Sequence, residues 1–158
     1  MCRAPGVPSD RSNLVWQAAE VLWRAIGRSG DPRDAHVRVD KQIPVAAGLG
    51  GGSADAAAAL VGLNVIWNGR LSRRDLIGIA ATLGADVPFS LLGGTAIGLG
   101  RGQELYPVED VSRLGVIVIK PSFGVSTAEA YGWLDADRRA ASDPPRDRHR
   151  ASRMPRPC

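Results

Sequence analysis

Four glycines in five positions, Gly48, Gly50, Gly51 and Gly52, are followed by Ser53 and a run rich in alanine and leucine. Glycine has no Cβ, so its backbone N–H groups can approach an anion closely and can adopt positive φ. A helix that starts in such a loop adds unpaired N–H donors and a partial positive charge. The chemistry these residues suit is phosphate binding. Ser53 stands at the expected helix start, where its hydroxyl could cap the helix or touch a phosphate or a phosphate-bound magnesium ion.

The spacing narrows the kind of loop. The Walker pattern requires Lys followed by Ser or Thr after its last glycine, and Gly52 is followed by Ser53-Ala54, which excludes a P-loop. The dinucleotide pattern is half met by Gly48-x-Gly50. It needs a strand running straight into the first glycine, whereas Pro44-Val45-Ala46-Ala47 intervenes, and no acidic residue ends a strand about 20 positions later. A tight turn that binds nothing is the plain alternative, although four glycines exceed what a turn needs.

The elements that must position this loop follow from periodicity. Residues 1–10 carry Pro5, Gly6, Pro8 and Ser9 and read as a loop. Leu14, Val15, Ala18, Leu22, Ala25 and Ile26 recur at spacings of three and four and predict a helix stopped by Gly27 and Gly30. Val37 and Val39 alternate with polar residues and predict a half-buried strand. The glycine loop then opens a helix to about Trp67. Ser72-Arg73-Arg74-Asp75 is a capping box that starts another helix, ended by Gly84. Thr95–Leu99 and Val116–Ile119 predict strands, the second continuous and β-branched, as a centrally buried strand would be. Ser126-Thr127-Ala128-Glu129, a second capping box, opens a short helix through Leu134.

Composition bounds the rest. The chain has 158 residues, 44% hydrophobic and 23% charged, as expected of one ordinary globular domain. The longest uncharged stretches, Ala56–Gly69 and Val87–Gly100, are interrupted by glycine and too short to span a bilayer. Ala4–Ser9 offers no apolar core for a secretory signal, and a cytoplasmic setting is expected. Cys2 and Cys158 lie at the two ends, which disfavours a disulfide framework or zinc cluster. The net charge of +4 belongs to residues 138–158, which hold seven Arg and two Asp; the remaining 13 basic and 14 acidic residues balance to −1. The body therefore lacks the positive field of a nucleic-acid binder. The tail has four prolines and no Leu, Ile, Val, Phe, Trp or Tyr, and it is expected to be disordered. Its arginines alone, without aromatic residues, make a weak case for nucleic-acid binding.

Ile43-Pro44-Val45-Ala46-Ala47-Gly48-Leu49-Gly50-Gly51-Gly52-Ser53-Ala54-Asp55-Ala56-Ala57 resembles the ATP-binding loop of the GHMP kinases, named after galactokinase and the homoserine, mevalonate and phosphomevalonate kinases. Leu83-Gly84-Ala85-Asp86-Val87-Pro88-Phe89 is similar to the catalytic loop of the branch that acts on cytidine-diphosphate-linked methylerythritol. Asn13-Leu14-Val15, Gly100-Arg101-Gly102-Gln103-Glu104-Leu105, and Lys120-Pro121 leading to Ser126–Tyr131 extend that resemblance from about Asp10 to Asp135. The resemblance implies an α+β fold: a partial GHMP N-terminal domain of the ribosomal protein S5 domain 2-like type, with a mixed sheet and packed helices. It implies transfer of phosphate from ATP, with Mg²⁺, to a tertiary 2-hydroxyl of that small-molecule substrate in the non-mevalonate isoprenoid pathway. No nucleic-acid or membrane partner is implied. Asp86 would be the catalytic carboxylate, taking the hydroxyl proton or orienting the hydroxyl. Pro44, Val45, Ala46, Ala47, Gly48, Leu49, Gly50, Gly51, Gly52, Ser53 and Ala54 would wrap the ATP phosphates, with Ser53 as the metal-side group. Thr127 and Tyr131 would help hold the cytidine. On the residues alone, Asp86 could equally start a turn, Thr127 could cap a helix, and Tyr131 could pack in the core. Trp16, Trp23, Trp67 and Trp133 read as packing residues, and His36 as a solvent-side residue.

The chain departs from the resemblance in one place that matters for chemistry. The family places a catalytic Lys in an Ala-Lys-Leu/Ile-Asn pattern, and no such pattern precedes Asp10. Lys41 and Lys120 are the only lysines, and neither stands where that Lys belongs. The expectation is a fragment: residues 1–120 as the ATP-binding domain, incomplete at its start; 121–137 as the beginning of a second domain; and 138–158 as a tail, produced by a shifted frame in an Arg-rich, GC-rich gene. Such a fragment would bind ATP weakly and turn over negligibly. A non-catalytic nucleotide-binding module or another GHMP small-molecule kinase are the alternatives. Gly51→Val is expected to weaken ATP binding by placing a side chain in the path of the phosphates.

Overall fold

The computed structural model describes residues 6–112, 114–120, 124 and 126–142. They divide into two compact units after Gly124. The first contains α1 (Leu14–Ala25), α2 (Gly51–Ile66), α3 (Arg73–Leu83), α4 (Asp86–Leu92), β1 (Thr95–Leu99) and β2 (Glu104–Val108); the second contains α5 (Thr127–Ser142).

Helices α1, α2 and α3 each start for a local reason. Asn13 caps α1: its Oδ1 accepts the Val15 N–H at 2.9 Å while its Nδ2 donates to the Pro8 carbonyl at 2.6 Å. Ser72 and Asp75 form the expected reciprocal capping box on α3. Asp10, two residues before Ser12, is held below the usual carboxylate range by hydrogen bonds from the Ser12 hydroxyl and N–H. Helix α2 has no side-chain cap; it starts from Gly50 in the left-handed conformation, φ 66°.

The core is helix on helix. Val15, Ala18, Ala19, Leu22 and Trp23 of α1 meet Ala56, Ala57, Ala59, Leu60 and Leu63 of α2, with Leu76 and Ala80 of α3 and Val87 of α4 closing the cluster. The small alanines let α2 approach its neighbours closely. At one end Trp23 and Trp67 pack edge to face, centroids 4.9 Å apart, which suits the quadrupoles of two indoles. Their N–H groups are satisfied by the Ser29 and Arg33 carbonyls, and Arg28 lies over Trp23 while donating to the Trp67 carbonyl. Arg73, the first residue of α3, donates to the Leu91 and Leu92 carbonyls at the end of α4, where a cation complements the helix dipole.

The sheet among the described residues is one antiparallel pair, β1 with β2, in the register Thr95↔Val108 to Leu99↔Glu104, in place of the expected mixed sheet. The turn uses Gly100 and Gly102, both at positive φ, and Gln103 accepts the Arg101 N–H. Pro107 in β2 fits a strand whose other edge is open.

Several expectations are corrected here. Residues 36–40 form no strand; Val39 packs against the helical core, and Val37 is exposed. The Val116–Ile119 run is not a buried strand either: its four side chains are 62–89% exposed. For the second run the reason is pairing: a strand exists through its partner, and among the described residues β1 and β2 pair only with each other. Asp86 and its neighbours, read as a turn or loop, form α4. Glu104–Val108 is a strand not anticipated. Helix α5 runs past Leu134 to Ser142, into the stretch expected to be tail; residues 143–158 lie outside the described residues. Trp23 and Trp67 are buried as expected, but Trp133 is exposed. No helix among the described residues is long and apolar enough to cross a membrane.

Candidate functional site

The glycine loop forms the wall of an open cavity of about 320 Å³ at the N-terminus of α2. Every residue from Pro44 to Ser53 lines it, together with Asn13, Val15, Val39, Lys41 and Asp55. Three positions give the loop its winding: Ala46, Gly48 and Gly50 all take left-handed φ, of 54°, 69° and 66°. Glycine accepts this conformation freely; Ala46 does so at a cost of about 1 kcal/mol. The loop thus delivers the chain to α2 with the first-turn N–H groups of Gly51, Gly52 and Ser53 making no backbone hydrogen bond to the preceding chain among the described residues, the arrangement that suits an anion.

The individual residues divide. Ala54, expected among the phosphate-wrapping residues, does not line the cavity; its N–H is already bonded to the Gly50 carbonyl inside the helix at 2.9 Å. Ser53 does not cap α2, because the helix begins two residues earlier, at Gly51. Its half-buried hydroxyl has no hydrogen-bond partner among the described residues and lines the cavity, which leaves it available to a ligand.

Gly51 is buried, and its reason for being glycine differs from the one expected. A Cβ there would lie 2.8 Å from Ile43 Cγ2 and 3.0 Å from Lys41 Nζ, so a side chain would strike the floor beneath the loop rather than the path of the phosphates. Gly52 has open space around it.

Lys41 is the residue that sequence reasoning set aside. Its side chain is 8% exposed, and its Nζ donates to Asp55 Oδ2 at 2.5 Å. Lys41 and Asp55 are the two charged groups lining the cavity among the described residues. Their separation of 14 positions, bracketing the loop, was the only sequence signal, and it does not mark an ion pair without knowledge of how the loop folds back.

Asp86 is the first residue of α4 and is exposed. No hydrogen bond or ion pair to its carboxylate occurs among the described residues, and it does not line the glycine-loop cavity. Helix α4 is anchored behind it by Val87 and Pro88, both buried. Thr127 and Tyr131 lie on α5 in the second unit, Thr127 as its first residue and Tyr131 64% exposed, which removes core packing as the role of Tyr131. His36 is exposed as expected, and no cluster of three or more metal-ligating side chains occurs among the described residues.

A left-handed glycine entry to an alanine-rich helix, beside an open cavity of about 320 Å³ and backed by a four-helix core, defines a glycine-loop domain outside the P-loop and dinucleotide classes. Residues 13–94 match the GHMP kinases N terminal domain, and the chain belongs to that family. Its fold is accordingly a partial α+β GHMP N-terminal fold.

Within the family the similarity is narrower. The chain is 53% identical over 140 residues to a protein of Rhodococcus jostii named 4-diphosphocytidyl-2-C-methyl-D-erythritol kinase, covering 89% of this chain and 44% of that protein. It is 54% identical over 125 residues to a protein of the same name from Pelotomaculum thermopropionicum, covering 79% and 42%. A crystal structure of 4-(cytidine 5'-diphospho)-2C-methyl-D-erythritol kinase superposes with a TM-score of 0.53 at 40% identity, over 68% of this chain and 37% of that one. The chain therefore spans less than half the length of the relatives it matches.

Proposed function

We propose that this chain carries the nucleotide-binding part of a kinase that moves phosphate from ATP to the tertiary 2-hydroxyl of 4-diphosphocytidyl-2-C-methyl-D-erythritol, in the non-mevalonate route to isoprenoids and in the cytoplasm. The observation that carries the reading is the cavity lined without a gap by Pro44–Ser53 at the start of α2, inside the segment that matches the family. In this reading residues 1–120 form the ATP-binding domain and 121–137 begin the second domain. The backbone N–H groups of Gly51 and Gly52 hold phosphate oxygens.

The donors present suit a magnesium ion held mainly by the nucleotide. Ser53 offers an unengaged hydroxyl, whereas the Asp55 carboxylate is taken by Lys41. Mg²⁺ would supply neutralisation of phosphate charge; Ser53 is the group we assign to it.

Asp86 is assigned as the carboxylate that orients the accepting hydroxyl and takes its proton. Phosphoryl transfer asks the protein mainly for position and charge, and a carboxylate fixed at the first residue of an anchored helix supplies both. Thr127 and Tyr131 are assigned to the cytidine end of the substrate, Tyr131 through its exposed ring. The 158-residue chain alone is expected to turn over negligibly.

The test joins this chain to the flanking segments of the Rhodococcus jostii relative and follows ADP release with the diphosphocytidyl substrate. Asp86→Asn should lower kcat by about 10²–10⁴-fold while leaving ATP affinity within a few fold. Near-normal kcat with a native circular dichroism spectrum would reduce Asp86 to a helix-start residue. A second reading, nucleotide binding without turnover, is favoured by the position of Asp86 outside the cavity lining. ATP binding by the extended chain without any phosphate transfer would establish it instead.

A further inference from the structure

The Lys41–Asp55 pair, a buried ammonium on a carboxylate about one-third exposed, has no part in the activity described above, and its geometry is specific. Lys41 stands just before Ile43-Pro44, where the loop begins, and Asp55 stands in α2, just after the loop has ended. The pair therefore ties together the two ends of the segment that winds around the cavity. The ammonium is almost wholly removed from solvent and lies against the backbone of Gly51, the first residue of α2. A buried ammonium is tolerated because a carboxylate meets it; removing either partner leaves an uncompensated charge. The same contact has an electrostatic consequence. A bare carboxylate beside the helix N-terminus would oppose an incoming phosphate, and Lys41 offsets it.

We propose that Lys41 and Asp55 are positioning residues, a clasp that holds the glycine loop and the first turn of α2 in the anion-accepting conformation. The clasp shares its floor with Ile43: a Cβ at position 51 would strike Ile43 Cγ2 at 2.8 Å and crowd the Lys41 ammonium at 3.0 Å. It acts through the loop and does not itself touch the phosphates. The inference rests on the nucleotide-binding reading, but one arm of its test is independent of nucleotide.

The experiment compares the 158-residue chain with Lys41→Met and Asp55→Asn. Affinity for ATP and for inorganic triphosphate is measured by calorimetry, with folding checked by circular dichroism. The clasp predicts that both variants lose about tenfold or more of the affinity for triphosphate and for ATP alike, since each breaks the same buried pair. If Lys41 were instead a direct phosphate ligand restrained by Asp55, Asp55→Asn would tighten triphosphate binding, and that result overturns the proposal. The second arm is amide hydrogen exchange without nucleotide. In Lys41→Met the amides of Ala54–Ala57 should exchange about tenfold faster while those around Leu22 in α1 stay within about threefold. An equal rise in both helices marks a merely structural residue and overturns the proposal, as does no change in either. Should the unmodified chain bind neither ATP nor triphosphate, the nucleotide reading fails, and the exchange arm alone decides the clasp. If Lys41→Met does not fold, Asp55→Asn carries both arms.

Discussion

The alanine-rich helix α2 and the Val116–Ile119 run invert the usual relation between hydrophobicity and burial. Helix α2 owes little of its face to large side chains, yet Ala56, Ala57, Ala59, Leu60 and Leu63 are all buried. The four residues of the run are all strongly apolar and β-branched, and Ile117 and Ile119 are the most exposed large apolar side chains of the first unit among the described residues. Burial is a property of what lies opposite. Helix α2 has α1, α3 and α4 around it, whereas the run has no strand beside it among the described residues. An exposed apolar run of this kind is the surface expected to drive association in solution.

The contrast is open to direct attack. Leu60→Ala removes a fully buried side chain at the centre of the helical layer and should destabilise the chain by about 2–5 kcal/mol in urea titration. A loss below about 1 kcal/mol would mean that the helical layer is not the stabilising core. Next in size is Ser72→Ala, which unmakes the capping box of α3 and should lower Tm by about 2–5 °C by scanning calorimetry. Smaller again is a pH effect from the same box. The Ser72 hydroxyl and N–H hold the Asp75 carboxyl below its ordinary 3.8. A depressed folded-state pKa contributes stability that is full above the unfolded value and fades as pH falls through the folded one. Wild type should thus lose part of its advantage over Ser72→Ala as the pH drops below about 3.8; a Tm gap that holds constant down that range would sink the idea. Smallest is Ile117→Ser, at an 89% exposed position, which should leave the unfolding free energy within about 0.5 kcal/mol while reducing self-association in light scattering. A loss above about 1.5 kcal/mol would show that the run is packed after all.

How far the sequence was legible follows the same division. The starts of α1 and α3, the glycine entry to α2 and the extent of β1 were visible because each depends on neighbours in the chain: Asn13, Ser72 with Asp75, Gly50, and a short segment from Thr95 to Leu99 set between Gly94 and Gly100. The strand expected at Val116–Ile119 did not form, because pairing is non-local and a pattern of side chains cannot supply a partner. Helix α4 was hidden by Pro88, which reads as a turn signal but sits in the first turn of a helix, where its missing N–H costs nothing.

For the site, the sequence by itself determined the winding of the glycine loop into α2. Glycines at fixed spacing before a helix-forming stretch set the backbone conformations locally, and the loop lies inside residues 13–94, which match the family. Only the tertiary structure decided what lies behind the loop. Lys41 and Asp55 are far apart along the chain and ordinary in type. They become an ion pair only when the loop folds back on α2 and takes the Lys41 ammonium out of water beside the partly exposed Asp55 carboxylate, since such a pair is made by proximity and desolvation, and neither is written in residue order.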